Sequence, residues 1–205
     1  MKQMLAAAVL AVLATGTPAL HAADAGDWQV KVGAHVVDPK SNNGTLADGT
    51  LKARVDSDWK PTFTVEYYFS RNLGLEVLAA LPFKHEVKLN GAKAAETKHL
   101  PPTFSLQWHF LPDAKVNPFV GLGLNYTRFF STDETGPLEG TNLDLDDSWG
   151  LAAHLGVDFA LKDRWSLTVD ARWMDIDTDV KVNGTKVGTV NIDPLVYGIA
   201  VGYRF

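Results

Sequence analysis

The sequence predicts an all-β fold, an eight-stranded antiparallel transmembrane β-barrel with short periplasmic turns and long extracellular loops. Three observations predict it. Apolar residues alternate with small or polar ones through eight stretches of about nine to eleven residues, the length of a tilted membrane strand. The connections between these stretches alternate between short and long. The chain also stops inside the eighth stretch, "YGIAVGYRF", with Phe205 carrying the final carboxylate. A strand structured to its last residue needs a partner, and barrel closure supplies one by pairing the last strand with the first.

The N-terminus reads as a secretory signal peptide. Lys2 gives a positive start, "LAAAVLAVLA" is an apolar core too short to span a bilayer, and "TGTPALHAA" supplies a breaker and small residues. Cleavage is expected after Ala22, with Ala23 as the second choice, so residues 1–22 are the signal and 23–205 the barrel domain. An N-terminal anchor is the other reading. Without Lys2 the chain carries 18 Lys and Arg against 24 Asp and Glu, a net charge of 18 − 24 = −6. An acidic chain is a poor partner for nucleic acid. With no cysteine, no disulfide framework holds it.

The strands follow in order. "WQVKVGAHV" sets Trp28, Val30, Val32, Ala34 and Val36 on one face. "PTFTVEYYF" sets Phe63, Val65, Tyr67 and Phe69, and "LGLEVLAALPF" sets Leu73, Leu75, Val77, Ala79, Leu81 and Phe83. "PTFSLQWHF" gives Phe104, Leu106, Trp108 and Phe110, and "VGLGLNYT" gives Val120, Leu122, Leu124 and Tyr126. "WGLAAHLGVDFAL" gives Trp149, Leu151, Ala153, Leu155, Val157, Phe159 and Leu161, and "WSLTVDARW" gives Trp165, Leu167, Val169, Ala171 and Trp173. Tyr197, Ile199, Val201, Tyr203 and Phe205 complete the set. "SRN", "LPDAKVN" and "LKDR" are the short turns, while 38–58, 84–99, 131–148 and 175–191 are long and polar. The even strand number puts both termini on the periplasmic side.

A β-sandwich also has short alternating strands, but its second face meets water and should be charged. Here that face carries Gly121, Gly123, Gly150, Ala152, Gly198, Ala200 and Gly202, small residues suited to the inside of a narrow barrel. The aromatic residues sort by height into two girdles. Trp28, Phe69, Phe110, Phe159, Trp165, Tyr203 and Phe205 fall near the periplasmic ends, and Phe83, Phe104, Tyr126, Trp149 and Trp173 near the outer ends.

Several stretches together resemble the outer-membrane protein W family, of which the alkane-import protein AlkL is a relative. They are "GDWQVKVGAHVVDP", "LGLEVLAALPFKHEV", "KHLPPTFSLQWHF", "PFVGLGLNYTRFF", "DSWGLAAHLGVDFAL", "RWMDIDTDV" and "IDPLVYGIAVGYRF", in order along nearly the whole mature chain. The resemblance implies an eight-stranded barrel of the outer membrane with a narrow, partly apolar channel for small hydrophobic molecules. The long loops match no pattern, so the ligand stays open.

The alternation also assigns the lumen. Lys31, Glu66, Glu76, Gln107, His109, Asp158 and Arg204 are expected inside the periplasmic half as a salt-bridged plug, because opposite charges in a dry barrel must pair. Asp170 and Arg172 follow at mid-height, and Leu78, Ala80, Pro82, Gly150, Ala152, Pro194 and Val196 above them as an apolar channel lining. Eight strands leave room for little more than side chains or one small ligand. An apolar guest entering from outside would meet ions below, so a sideways exit into the bilayer is the easier route. Pro82, Pro101, Pro102 and Pro194 lack a donor at that height and either open the wall or merely end the strands. Tyr203 and Phe205 are expected to carry the signal for the outer-membrane assembly machinery. Lipid and small hydrophobic solutes are the other expected partners.

Other signals are weaker. Asp175, Asp177 and Asp179 alternate, but Val180 and Lys186 stand where a calcium loop needs Gly and Glu. No metal and no cofactor is expected, although His85 and His99 border one loop. "GLGLNY" lacks the third glycine of a dinucleotide motif. Ser105 with His109, and His154 with Asp158, share inward faces, but a catalytic set needs mutual reach and an exposed nucleophile. The chain is therefore read as a channel for passive uptake of small hydrophobic molecules and not as an enzyme. The alternative is a structural barrel whose loops bind partners and whose lumen is only packing.

Overall fold

The computed structural model describes residues 23–205. The signal peptide expected over residues 1–22 lies outside the described residues. Fifteen strands account for most of the described chain: β1 (Trp28–Asp38), β2 (Thr45–Leu46), β3 (Leu51–Val55), β4 (Asp58–Tyr68), β5 (Leu73–Ala80), β6 (Phe83–Leu89), β7 (Ala92–Leu100), β8 (Thr103–His109), β9 (Val116–Glu134), β10 (Leu143–Leu145), β11 (Ser148–Ala160), β12 (Trp165–Met174), β13 (Asp177–Val182), β14 (Thr185–Asn191) and β15 (Leu195–Arg204).

Eight of them close a ring in the order β1-β4-β5-β8-β9-β11-β12-β15, and every pair is antiparallel. Closure between β15 and β1 runs from Gln29↔Arg204 to Asp38↔Leu195. The Phe205 amide then donates to the Trp28 carbonyl at 2.8 Å, so the last residue is held by the first strand. No edge is left within this ring, the condition for strands to stand in lipid. Among the described residues, no helix is long and apolar enough to cross a membrane.

The outward face is apolar and exposed: Val32, Phe63, Leu106, Leu122, Leu124, Leu151, Leu155 and Ile199 all point away from the core. In water such a surface would aggregate; in lipid it is the solvated side. At the periplasmic rim Trp28 and Tyr67 lie 4.9 Å apart, and Trp165, Tyr203 and Phe205 form an edge-to-face chain with spacings of 4.9 and 5.0 Å. Tyr126 and Trp149 pack at 4.7 Å toward the outer rim.

Three expectations need correction. The segments read as long polar loops are largely strands that carry the barrel wall outward. The upper part of β9 pairs with β7, then β6, β3 and β2, while β10, β13 and β14 form a second small sheet. Asn90–Gly91 and Asn183–Gly184 turn two of these hairpins, with φ of 49° and 87°, and 51° and 80°. Positive φ at both positions suits a tight hairpin turn, and Asn-Gly is its strongest sequence signal. Second, Phe83 is not in the outer girdle: it is buried. The alternation of β5 ends at Ala80, and Leu81 and Pro82 intervene before β6 starts, which turns Phe83 inward. Third, β4 begins at Asp58, three residues before the stretch expected from Pro61, which adds Trp59 to the exposed outward face.

Candidate functional site: an apolar cavity above an ionic floor

The lower lumen is filled by a buried ionic network. Lys31 Nζ lies 3.3 Å from Glu66, 3.7 Å from Asp158 and 3.9 Å from Glu76, and sits 5.3 Å from the Phe119 ring centre. Arg172 donates to Glu76 at 2.7 Å and to Asp170 at 3.1 Å. His35 and His154 each donate from Nε2 to Asp170 at 2.9 Å. His109 donates to Glu66 at 2.7 Å, and the Tyr68 hydroxyl donates to Gln29 at 2.8 Å. Gln107 sits 2.9 Å from His154. The Leu111 amide donates to Asn117 Oδ1, which turns the Asn117 amide nitrogen toward His109 Nδ1. Strand alternation puts these side chains inward, and the small radius of eight strands brings opposite charges within pairing distance.

The expected inward residues Lys31, Glu66, Glu76, Gln107, His109, Asp158, Asp170 and Arg172 are all buried here. Arg204 is half-buried at the periplasmic mouth, its guanidinium 5.2 Å from the Tyr68 ring centre. Asp170 and Arg172 belong to the network itself and do not sit above it. Sequence reasoning missed His35 and Tyr68 as members, although both alternate onto the inward face.

Neither pair considered for catalysis is hydrogen-bonded within itself. The Ser105 hydroxyl has no hydrogen-bond partner among the described residues, while His109 is held by Glu66 and Asn117. His154 bonds Asp170 and Gln107, and Asp158 accepts from Thr168.

Above the ions comes a packed apolar layer. Leu78, Ala152 and Val196 are buried in it with Val37, Met174, Ile176 and Phe83, and Ala80 packs against it. Pro194 is buried nearby, and Gly150 and Pro82 are half-buried.

The open space lies higher still. A cavity of about 230 Å³ sits between the two sheets of the extracellular wall. β2, β3, β6 and β9 contribute Leu46, Leu51, Val55, Val87, Leu89 and Phe129. β10, β13 and β14 contribute Leu143, Leu145, Val180, Val182, Val187 and Val190. His85, Thr97, His99 and Thr178 are the polar residues on its wall. None of the seven apolar residues expected to line a channel touches this cavity; they lie in or beside the layer beneath it. The residues that do line it had a signal in the sequence, the short alternations in "HEVKL", "LDL" and "DTDVKV". Those runs are brief and their outward faces are charged, which is why they pass for loops. In β14 the alternation also slips, because the ladder shifts one residue near Gly188, whose φ is 149°.

Val55 lines both this cavity and a second, open cleft of about 490 Å³. That cleft is lined by Asp38, Arg54, Asp56 and Asp193, and it reaches Trp173 and Leu195 on the lipid-facing surface. The strands themselves break at the prolines, although the Leu81 amide still donates to the Pro61 carbonyl and the Tyr126 amide to the Pro102 carbonyl. Leu81 and Pro82 separate β5 from β6, and Pro101 and Pro102 separate β7 from β8.

A barrel of eight strands, a lumen closed by ions and an apolar cup outside it place the chain among small outer-membrane barrels, and a family model decides which. The OmpW family model matches residues 24–205. The chain belongs to the OmpW family. Outer membrane protein W of Vibrio cholerae is 38% identical, over 97% of this chain and 96% of its own. Outer membrane protein AlkL of Ectopseudomonas oleovorans is 26% identical, over 88% of this chain and 83% of its own. The crystal structure of OprG from Pseudomonas aeruginosa superposes with a TM-score of 0.81 at 36% identity, covering 89% of this chain and 97% of OprG. As an OmpW-family member the chain is an integral barrel protein of the outer membrane, standing in its lipid.

Proposed function

We propose that this OmpW-family barrel takes up small hydrophobic molecules passively, receiving them in the extracellular cavity and releasing them sideways into the membrane. The observation that carries the reading is the split interior. A cavity with a largely aliphatic wall stands above a packed apolar layer, and below that the lumen is crossed by paired ions. An apolar guest gains about 25 cal/mol per Å² of surface it keeps out of water. Passing down through the ionic floor would forfeit that gain and break buried charge pairs, whose separation costs about 3–5 kcal/mol. Leaving through the wall keeps the guest in apolar surroundings. Supporting a sideways path are the strand breaks at Pro82 and at Pro101–Pro102, and the Val55 boundary between cavity and outer cleft.

The test compares the cavity with the floor. Val180→Asp puts an unpartnered charge on the cavity wall, and Glu76→Gln alters the floor. Both are first checked for assembly by the gel shift between heated and unheated samples. Uptake of a labelled apolar compound by cells should fall about tenfold or more with Val180→Asp, because a buried charge without a partner is costly. It should stay near wild type with Glu76→Gln. If the floor variant changes uptake and the cavity variant does not, the guest travels straight down the lumen. If neither matters, the barrel is not a path for such molecules.

A further inference from the structure

His85 and His99 lie in the apolar cavity wall, on the paired strands β6 and β7. Their rings stack with centres 4.8 Å apart and planes 9° from parallel. Phe83 continues the stack, and Phe129 covers the other side of His99 at 5.6 Å. Both imidazoles are buried, each with about one per cent of its surface exposed. Burial pushes both below the ordinary histidine range, His99 the further, helped by its histidine neighbour. They are therefore neutral at pH 7.

The hydrogen bonds fix what these rings offer. His85 Nδ1 lies 2.5 Å from the Asp56 carbonyl oxygen. A carbonyl only accepts, so Nδ1 carries the proton and Nε2 is left as a bare acceptor. His85 Nε2 has no hydrogen-bond partner among the described residues, and neither has His99 Nδ1 or Nε2; all three are shielded from the cavity as well as from solvent, so the rings must turn for a guest to reach them. A neutral His99 bears one N–H, so the pair presents an unmatched donor beside an unmatched acceptor. Buried polar groups are as a rule partnered, and a cluster of exceptions calls for an explanation. The surrounding charges do not supply one: the Asp56 carboxylate is held by Lys88 and the Asp58 carboxylate by Lys60.

We propose that the His85–His99 pair is a hydrogen-bonding station for a guest with one hydroxyl group on an otherwise apolar body, an aliphatic alcohol or a phenol. This deepens the uptake reading and rests on it. A hydroxyl both donates and accepts, so once the rings turn toward the cavity it can match His85 Nε2 and the His99 N–H together. A hydrocarbon leaves both unmatched. A carboxylate only accepts, would face the His85 lone pair, and finds no Lys or Arg on the cavity wall. A site built to hydrogen-bond a hydroxyl discriminates strongly against the analogue that lacks it.

The experiment uses the mature protein in lipid nanodiscs, labelled with ¹⁵N at histidine, and titrated with 1-octanol, octane and octanoate. Guest-to-protein nuclear Overhauser effects at the valine and leucine methyl groups of the cavity report occupancy, and the ring ¹⁵N shifts report hydrogen bonding. Octanol should saturate the cavity at about tenfold lower concentration than octane, the worth of one net hydrogen bond, and should move the His99 ring shifts. His99→Phe and His85→Phe should each erase that preference while octane still enters, since Phe keeps the stack. The inference is overturned if octanol and octane occupy the cavity equally, if octanol leaves the ring shifts unmoved, if the preference survives both variants, or if octanoate is the favoured guest. Were none of the three to enter the cavity, the uptake reading itself would fall and take the station with it. The ring shifts of the unsubstituted protein decide the matter even if a variant does not assemble.

Discussion

The lower lumen and the extracellular cup are built from the same kind of strand and solve opposite problems. In the lower lumen the long charged side chains Lys31, Glu66, Glu76, Asp170 and Arg172 are each tied to two or more others, so their places are fixed by charge pairing. In the cup the inward side chains are mostly aliphatic and stop short of one another, leaving about 230 Å³ open. Outside, the pattern inverts. The lower barrel shows lipid an apolar face, while the cup shows water a charged one, with Lys84 bonded to Glu96 at 2.5 Å, Lys181 to Asp146 at 2.7 Å and Lys186 to Asp179 at 2.5 Å. The difference teaches that polarity of the inner face follows from which solvent stands outside. A strand in lipid has its apolar residues drawn outward and can keep ions inside only in pairs. A strand in water keeps its apolar residues in, and these create a cavity where the two sheets do not meet.

Four measurements would break or sharpen that contrast. The largest effect should come from Lys31→Met, which strands Glu66, Glu76 and Asp158 around an apolar side chain. Removing one partner of a buried ionic cluster should cost about 3–5 kcal/mol, read as a lower denaturant midpoint for the unfolded band on gels. A loss no greater than that of an ordinary core substitution would mean the ions are passengers.

Leu78→Asp should come next, at about 3 kcal/mol, because Leu78 sits in the packed layer and the new carboxylate would be buried against apolar side chains. The same substitution would be nearly neutral for folding if Leu78 lined an open channel, so the midpoint separates the two placements.

Deleting Phe205 removes the amide that bonds the Trp28 carbonyl and the ring that packs on Tyr203. Stability in detergent should drop by about 1 kcal/mol at most, since the ring is largely lipid-exposed. The amount of barrel assembled in cells should fall several-fold, measured as heat-modifiable protein in membranes. An equal loss in both settings assigns the residue to packing alone.

The smallest effect should be that of Val190→Ala. Val190 borders space that is already open, so removing its methyl groups should cost about 1 kcal/mol in midpoint and enlarge the cavity. A penalty as large as that of Leu78→Asp would show the cup to be as tightly packed as the layer below.

The sequence by itself determined the barrel. Period-two alternation over eight long stretches is a local signal, and lipid on one side makes it strict, so Trp28 through Val36 or Leu195 through Phe205 could be assigned to faces residue by residue. The same logic placed Lys31, Glu66, Glu76, Asp158 and Arg172 inside, because a charged residue on a strand with an apolar outer face has one other side to occupy. Only the tertiary structure decided the cup. Val87, Leu143, Val180 and Val190 lie far apart along the chain, in runs too short and too charged on their outer faces to stand out from loops. They become one surface only when β6 and β14 belong to sheets that face each other. Phe83 shows the same limit at a single residue. Its spacing from Leu81 put it on the lipid face, and the break at Pro82 turned it inward against His85 and His99. The stacking of those two histidines, and which of their nitrogens are left unmatched, depends on strand register and on the distant Asp56 carbonyl. Face assignment is a property of neighbours along the chain. Cavities and hydrogen-bond partners are properties of neighbours in space, and a sequence states the second only where a strand pattern runs unbroken.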